Sequence, residues 1–217
     1  MKPSRPDLPA WLAPSADLLQ AYADLLADAG VTQGLIGPRE VPRLWERHLL
    51  NCAVVADPAV GLVPMNASVA DVGSGAGLPG LVWAIARPDL RVTLVEPLLR
   101  RATFLTGAVD DLGLRSRVTV IRGRGEDQLA SGSWTPVDVV TARAVAPLDR
   151  LLGWTVPLLR TGGQLVALKG SSATEEVAAA QGQAATLGLA DLRVVTLGEG
   201  VVDPVTTVVT GIRRAAQ

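Results

Sequence analysis

Residues 68–80 read SVADVGSGAGLPG, an apolar run that ends on an acid and then breaks into four glycines within eight residues. Glycines at alternate positions let a backbone approach a ligand that side chains would hold off. A strand emptying into a helix start is also where nucleotide-like cofactors bind in open α/β sheets. From this stretch onward short β-branched runs alternate with helical ones, as βαβ units require. The strand candidates are SVADV (68–72), RVTLVE (91–96), RVTVIR (117–122), VDVVTA (137–142) and GQLVALK (163–169), with helices expected over 79–87, 98–112, 147–160 and 173–187. Two last strand-like runs, DLRVVTL and VTTVVTGIR, are joined by GEGVVDP. That link is too short for a crossover helix and predicts an antiparallel pair at the end of a mostly parallel sheet.

Upstream of the glycines the spacing is helical over 15–30, through Leu18, Leu19, Tyr22, Leu25 and Leu26, and over 39–56, through Leu44, Trp45, His48, Leu49 and Cys52. Ser15 and Gly30 read as start and stop signals, and GLIGPRE links the two helices. The expected organisation is a helical extension over 1–60 and an α/β domain over 61–217. The chain is 48% hydrophobic but only 3% aromatic, so its core must be built from Val, Leu and Ala, as in parallel sheets covered by helices.

The single cysteine, Cys52, excludes an internal disulfide and any multi-cysteine metal site, and no metal is expected. The proline-rich start MKPSRPDLPAWLAPS lacks an apolar stretch of signal length, and no run reaches membrane-span length, so the expectation is a soluble cytoplasmic protein. A net charge of −1 argues against indiscriminate coating of nucleic acid but leaves room for a local basic patch. The segment 100–124 supplies one: it carries Arg100, Arg101, Arg115, Arg117, Arg122 and Arg124 against Asp110 and Asp111. Of these, Arg100, Arg101 and Arg124 are the candidates for phosphate contact, and the alternative is a solvated helix face.

The cofactor follows from what stands next to the loop. Gly75, Gly77 and Gly80 spell G-x-G-x-x-G, and Glu96 closes the next strand about twenty residues on, as a ribose-binding acid should. An NAD-dependent oxidoreductase therefore has a claim. Against it, Asp71 stands beside the first glycine, where a carboxylate repels a pyrophosphate but pairs with an ammonium group. S-adenosylmethionine carries an ammonium and a sulfonium and no phosphate. The chain also ends with the sheet, leaving nothing to build the substrate domain usual in such dehydrogenases.

Six blocks, ADVGSGAGLPG, VTLVEPLLRRATFL, RGRGED, DVVTARAVAPLDRLL, PLLRTGGQLVALKG and the upstream RLWERHLLN, resemble in the same order the glucose-inhibited division protein B family over roughly residues 40–170. The resemblance implies a class I S-adenosylmethionine-dependent methyltransferase fold, a Rossmann-like sheet with a C-terminal hairpin. It also implies methylation of N7 of a guanine in 16S rRNA, in a loop near the decoding site. Carried over position by position, it puts Gly73, Leu78, Gly125, Glu126 and Arg143 at the cofactor, with Glu96 at the ribose. Asn51, where many relatives have Asp, and GLIGPRE, where NLT is more usual, depart from the pattern in the helices expected to face substrate.

Guanine N7 is already a lone-pair nucleophile without a proton, so no general base is needed and no catalytic residue is expected beyond alignment, with Arg143 the candidate. At the carboxyl end of the sheet Arg143 could fix the methionine carboxylate or an RNA phosphate, the alternative being a structural ion pair. His48, the single histidine, is expected to be a hydrogen-bonded packing residue or an RNA contact. Lys169 is expected near substrate or on an ordinary surface. The expected partner is 16S rRNA or the small ribosomal subunit, the protein acting as a monomer. The alternative outside enzymology is a ribosome-binding module without chemistry, against which the intact Asp71, Gly73 and Glu96 speak.

Overall fold

The computed structural model describes residues 3–215. After a 3-10 turn at Ala13–Ser15, helix α1 (Ala16–Leu25) continues into the wider turns of Leu26–Gly30. The second helical stretch is irregular. A 3-10 segment Pro38–Arg43, held to that form by Pro38 and Pro42, leads into the π-type turns Leu44–Leu50, then α2 (Asn51–Ala53) and the turn Val54–Ala56. The sheet and its helices follow as β1 (Ser68–Val72), α3 (Gly80–Ala86), β2 (Arg91–Glu96), α4 (Leu99–Asp111), β3 (Val118–Arg122), α5 (Gly125–Ala130), β4 (Val137–Arg143), α6 (Leu148–Thr155), β5 (Leu159–Lys169), α7 (Ala173–Thr186), β6 (Leu189–Leu197) and β7 (Thr206–Arg213).

The seven strands lie in the order β3-β2-β1-β4-β5-β7-β6, with β7 antiparallel to both neighbours and the other pairs parallel. The strand order reverses between β1 and β4, which opens the ligand-binding crevice at their carboxyl ends. One face of the sheet buries Val69, Leu94 and Val139 against α3, α4 and the N-terminal helices. The other buries Ala70, Val140 and Leu165 against α6 and α7. The central strands are therefore apolar on both sides, as a parallel sheet between helical layers requires.

Two expectations need correction. The helix expected over 147–160 ends at Thr155, because Pro157 withholds an amide, and Arg160 already belongs to β5, which begins at Leu159 rather than Gly163. Helix α5 is not among the helices expected, being six residues long and too short to show a period, although Glu126 and Asp127 in its first turn read as helix-start carboxylates. The N-terminal helices pack directly on the sheet: Leu19, Tyr22, Trp45 and Leu49 share one core with Val69 and Trp83. Polar contacts tie the same seam, with Trp83 Nε1 donating to the Cys52 carbonyl at 2.9 Å and the Arg87 guanidinium donating to the carbonyls of Ala56, Val63 and Pro64.

Candidate active site

The glycine loop leaves β1 in a conformation that side chains resist. Gly73 has φ of +70° and Gly77 +98°, in the region that L-residues avoid. A Cβ on Gly73 would stand 2.8 Å from Val145, and one on Gly77 would meet Leu81 and the Tyr22 hydroxyl. That hydroxyl donates to the Ala76 carbonyl at 2.7 Å, so helix α1 fixes the loop from outside. From beneath, Asp71 Oδ2 accepts the Gly80 amide at 3.0 Å and fixes the start of α3. Asp71 is fully buried, and burial pushes its carboxyl up to about 7, the Gly80 amide opposing. Its Oδ1 has no partner, nor has Oγ1 of Thr141, which sits opposite Asp71 on β4. Asp71 thus lies under the loop, and among the described residues it lines none of the cavities around it. Gly77 likewise shapes the loop from inside the fold rather than facing a cavity.

Three cavities meet around the strand ends. One of about 520 Å3 is bordered by Gly73, Gly75, Leu78, Glu96, Arg101 and Arg143. A smaller one of about 250 Å3 lies between Gly73, Gly125, Glu126, Arg124 and Trp154. The third, about 580 Å3, is walled by Arg47, Asn51, Arg143, Lys169 and Asp203. Glu96 is buried at the end of β2, its two oxygens accepting the amides of Gly75 at 2.9 Å and Leu98 at 3.0 Å. A carboxylate has about four acceptor positions, so two remain for a ligand.

His48, Arg143 and Ala144 border both of the larger cavities. Arg143 is the last residue of β4, and Ala144 turns away from it at φ of +53°, a strained angle for a residue with a Cβ. The guanidinium donates to Cys52 Sγ at 3.1 Å, to the Arg47 carbonyl at 3.2 Å and to His48 Nδ1 at 2.7 Å. The expected alternative of a structural ion pair is not found: among the described residues no carboxylate pairs with Arg143. His48 in turn meets Glu40 through Nε2 at 3.0 Å. Burial and the neighbouring Arg143 lower the imidazole pKa, with Glu40 opposing.

The basic residues separate. Arg101 is exposed on α4 at the rim of the glycine cavity, 4.0 Å from Glu96, and Arg124 borders the smaller cavity. Arg100 is exposed beside Gly34 of the N-terminal linker. Arg115 pairs with Asp110, and Arg117 donates to the Ala84 carbonyl, so both serve the fold. Lys169 walls the third cavity but is engaged by the fold. Its ammonium lies 2.6 Å from Glu176 and donates to the Ala146 carbonyl at 3.0 Å, with the side chain only 9% exposed. Sequence reading missed Glu40, Tyr22, Thr141 and Trp154. Each reaches the site across a long stretch of chain, and Glu40 alone gave a local sign, an acid eight residues before the only histidine.

Among the described residues no helix is long and apolar enough to cross a membrane, and no three His, Cys, Asp or Glu side chains gather to hold a metal. The sequence model of the rRNA small subunit methyltransferase G family matches residues 15–204. A ribosomal RNA small subunit methyltransferase G from Streptomyces avermitilis is 60% identical over 188 residues, covering 87% of this chain and 76% of that one. Its counterpart from Mycolicibacterium gilvum is 48% identical over 215 residues, covering 99% and 92%. In fold, the chain resembles a SAM-dependent O-methyltransferase from Thermotoga maritima, with a TM-score of 0.54 at 15% identity over 77% of this chain and 66% of that one. A tRNA methyltransferase from B. subtilis gives 0.53 at 16% identity over 77% and 65%. The nicotinamide alternative finds no counterpart among these.

Proposed function

Because the chain belongs to the rRNA small subunit methyltransferase G family, we propose that it methylates N7 of a guanine in 16S rRNA with S-adenosylmethionine as donor. The observation that carries this reading is the wall of His48, Arg143 and Ala144 common to two cavities, which gives a donor and an acceptor adjoining places on one chain. No second copy is required, and the protein would act as a monomer beside the small ribosomal subunit in the cytoplasm.

The residues present suit the donor. The two acceptor positions left on buried Glu96 match a ribose diol, whose hydroxyls need an acceptor that takes both. Val72, Val95, Val145 and Trp154 give the smaller cavity apolar walls suited to an adenine, with the loop at Gly125 and Glu126 at its edge. Gly73 borders both the smaller and the glycine-lined cavity, and the space its missing side chain leaves is needed by Val145 as well as by any ligand. The methionine end would then reach Arg143, to which no carboxylate is bonded among the described residues.

When bound, the donor supplies an electrophilic methyl group on a sulfonium. The chain's own residues bring the base to it. N7 carries no proton, so no residue need act as a base, and His48 has both ring nitrogens engaged in any case. What remains is alignment, worth up to about 7–11 kcal/mol when two reactants are held at near-attack geometry. Arg143 is the aligning group, with Arg100, Arg101 and Arg124 around the cavity mouths for phosphate contact. Donating to guanine O6, Arg143 would fix the Hoogsteen edge while leaving the N7 lone pair free. The test is incubation with methyl-labelled S-adenosylmethionine and small subunits from cells lacking the enzyme. Label recovered as 7-methylguanosine supports the reading. Cofactor binding without transfer to the subunit would overturn it.

A further inference from the structure

We propose that Glu40 and His48 act as a positioning pair that holds the Arg143 guanidinium, with no carboxylate bonded to it among the described residues, on the wall between the two larger cavities. The proposal rests on the reading of those cavities as donor and acceptor sites.

The direction of the hydrogen bonds fixes the chemistry. A guanidinium has five N–H donors and no acceptor, so the 2.7 Å contact requires a lone pair on His48 Nδ1. The ring proton must then sit on Nε2, where it donates to Glu40 Oε2 at 3.0 Å. His48 is therefore neutral and held in one tautomer. A carboxylate on the far nitrogen orients an imidazole and strengthens its near nitrogen as an acceptor, the arrangement that serves metal-binding histidines. Here the place of the metal is taken by a guanidinium.

What the pair avoids matters as much as what it holds. Were Glu40 itself in contact with Arg143, the site would carry a neutral ion pair. Instead the three acceptors on Arg143 are a thiol sulfur, a main-chain carbonyl and a neutral ring nitrogen. They fix the guanidinium plane while leaving its charge, its Nε–H and one Nη1–H for a ligand. Cys52 acquires a use here beyond packing: a buried sulfur accepts one N–H and adds no charge.

Protonation of His48 would remove the lone pair and set two cations side by side. The charged and titratable groups facing it are Glu40 from the 3-10 segment, Arg47 from its own helix and Arg143 from β4, with Cys52 behind Arg143. Burial and Arg143 keep the imidazole pKa below its usual 6.5. The site should accordingly hold its geometry at neutral pH and lose it only as pH falls below that value.

The protein has a single histidine, so the ring can be watched directly. In protein labelled with 15N-histidine, nuclear magnetic resonance should show the neutral Nε2–H tautomer at pH 7 and titration below pH 6.5. Arg143→Met should shift the Nδ1 resonance. A Nδ1–H tautomer, or a cationic ring at pH 7, would overturn the proposal. In parallel, His48→Leu should lower kcat/KM for subunit methylation at least thirtyfold. His48→Asn, whose amide oxygen can stand in for Nδ1, should recover all but a few-fold and lose the acid limb of the pH profile. Wild-type kinetics in His48→Leu, or an acid limb unchanged in His48→Asn, would also overturn it. Wild-type protein that binds donor but methylates no subunit would instead sink the underlying assignment of function, whatever the histidine spectrum shows.

Discussion

Asp71 offers a quantitative test of how the loop is held. Its carboxyl is fully buried at the end of β1 and pushed from 3.8 up to about 7, chiefly by burial. A group whose folded pKa is raised contributes stability that is complete below its unfolded pKa and is lost as pH rises through the folded one. The window therefore runs from about pH 4 to pH 7 and slopes downward. Integrating the linkage between pH 5 and pH 8, with 1.36 kcal/mol per pKa unit, gives a loss of about 2–3 kcal/mol from this one side chain. Asp71→Asn removes the charge at every pH and keeps an oxygen for the Gly80 amide, while its new N–H2 faces Thr141, now without a partner. Other titrating groups are common to both proteins, so the difference between them isolates Asp71. Relative to wild type, the variant should gain about 2–3 kcal/mol on going from pH 5 to pH 8, or roughly 5–10 °C in Tm for a chain of this size. Denaturant titrations at the two pH values would read it. A stability difference that does not change with pH would show that Asp71 is an ordinary carboxylate and that burial does not dominate its environment.

Further substitutions separate the roles of neighbouring residues. Gly80→Ala would place a Cβ 2.5 Å from Leu94 and 2.7 Å from Asp71 Oδ2, and should cost about 1–3 kcal/mol by overpacking, read as a fall in Tm. Burial alone would raise the Glu176 carboxyl, but Lys169, Ser172 and the Leu148 amide together hold it below the usual range. Lys169→Met breaks that set and should destabilise by about 2 kcal/mol, less than a fully enclosed pair because Glu176 is 21% exposed. RNA affinity measured at a temperature where the variant is folded should be unchanged, and a selective loss of RNA binding would restore Lys169 to the interface. Arg100→Glu with Arg101→Glu should weaken methylation of subunits at least tenfold without changing donor affinity by calorimetry. An equal loss of both would assign Arg101 to the cofactor side, where its 4.0 Å approach to Glu96 lies.

How much of this was legible in the sequence depended on the range of the interaction. Strands β1 to β4 and the closing hairpin were readable because each is a short run of β-branched residues between breakers, and that signal is local. The helix expected to run to Arg160 stops at Thr155 because Pro157 lacks an amide, a local sign that periodicity alone does not show. Glu96 is expected at a ribose from its distance to the glycines, and in the structure it borders the glycine-lined cavity. Asp71 was read from the same stretch as an ammonium partner, yet spacing along a strand says only which residues alternate. Which face turns toward helix α3 is decided by packing, and that face took Asp71 inside.

The case of Arg143 shows why a residue can be identified long before its environment. Its place at the end of the fourth strand is a one-dimensional fact and marks it as a ligand-facing cation. Its acceptors come from Arg47, His48 and Cys52, more than ninety residues earlier, brought together only when the N-terminal helices close over the sheet. The expectation for His48, a hydrogen-bonded packing residue or an RNA contact, holds in its first form, but the sequence does not say which groups it bonds. For Cys52 the sequence shows only its singleness, because a lone pair matters only when a donor is aimed at it. The N-terminal helices are for that reason more than an appendage: they carry the groups that decide where the Arg143 guanidinium points at the shared wall. A chain with the sheet intact and that extension displaced would keep Glu96 at the end of β2, and lose both the hold of Tyr22 on the glycine loop and the alignment of Arg143.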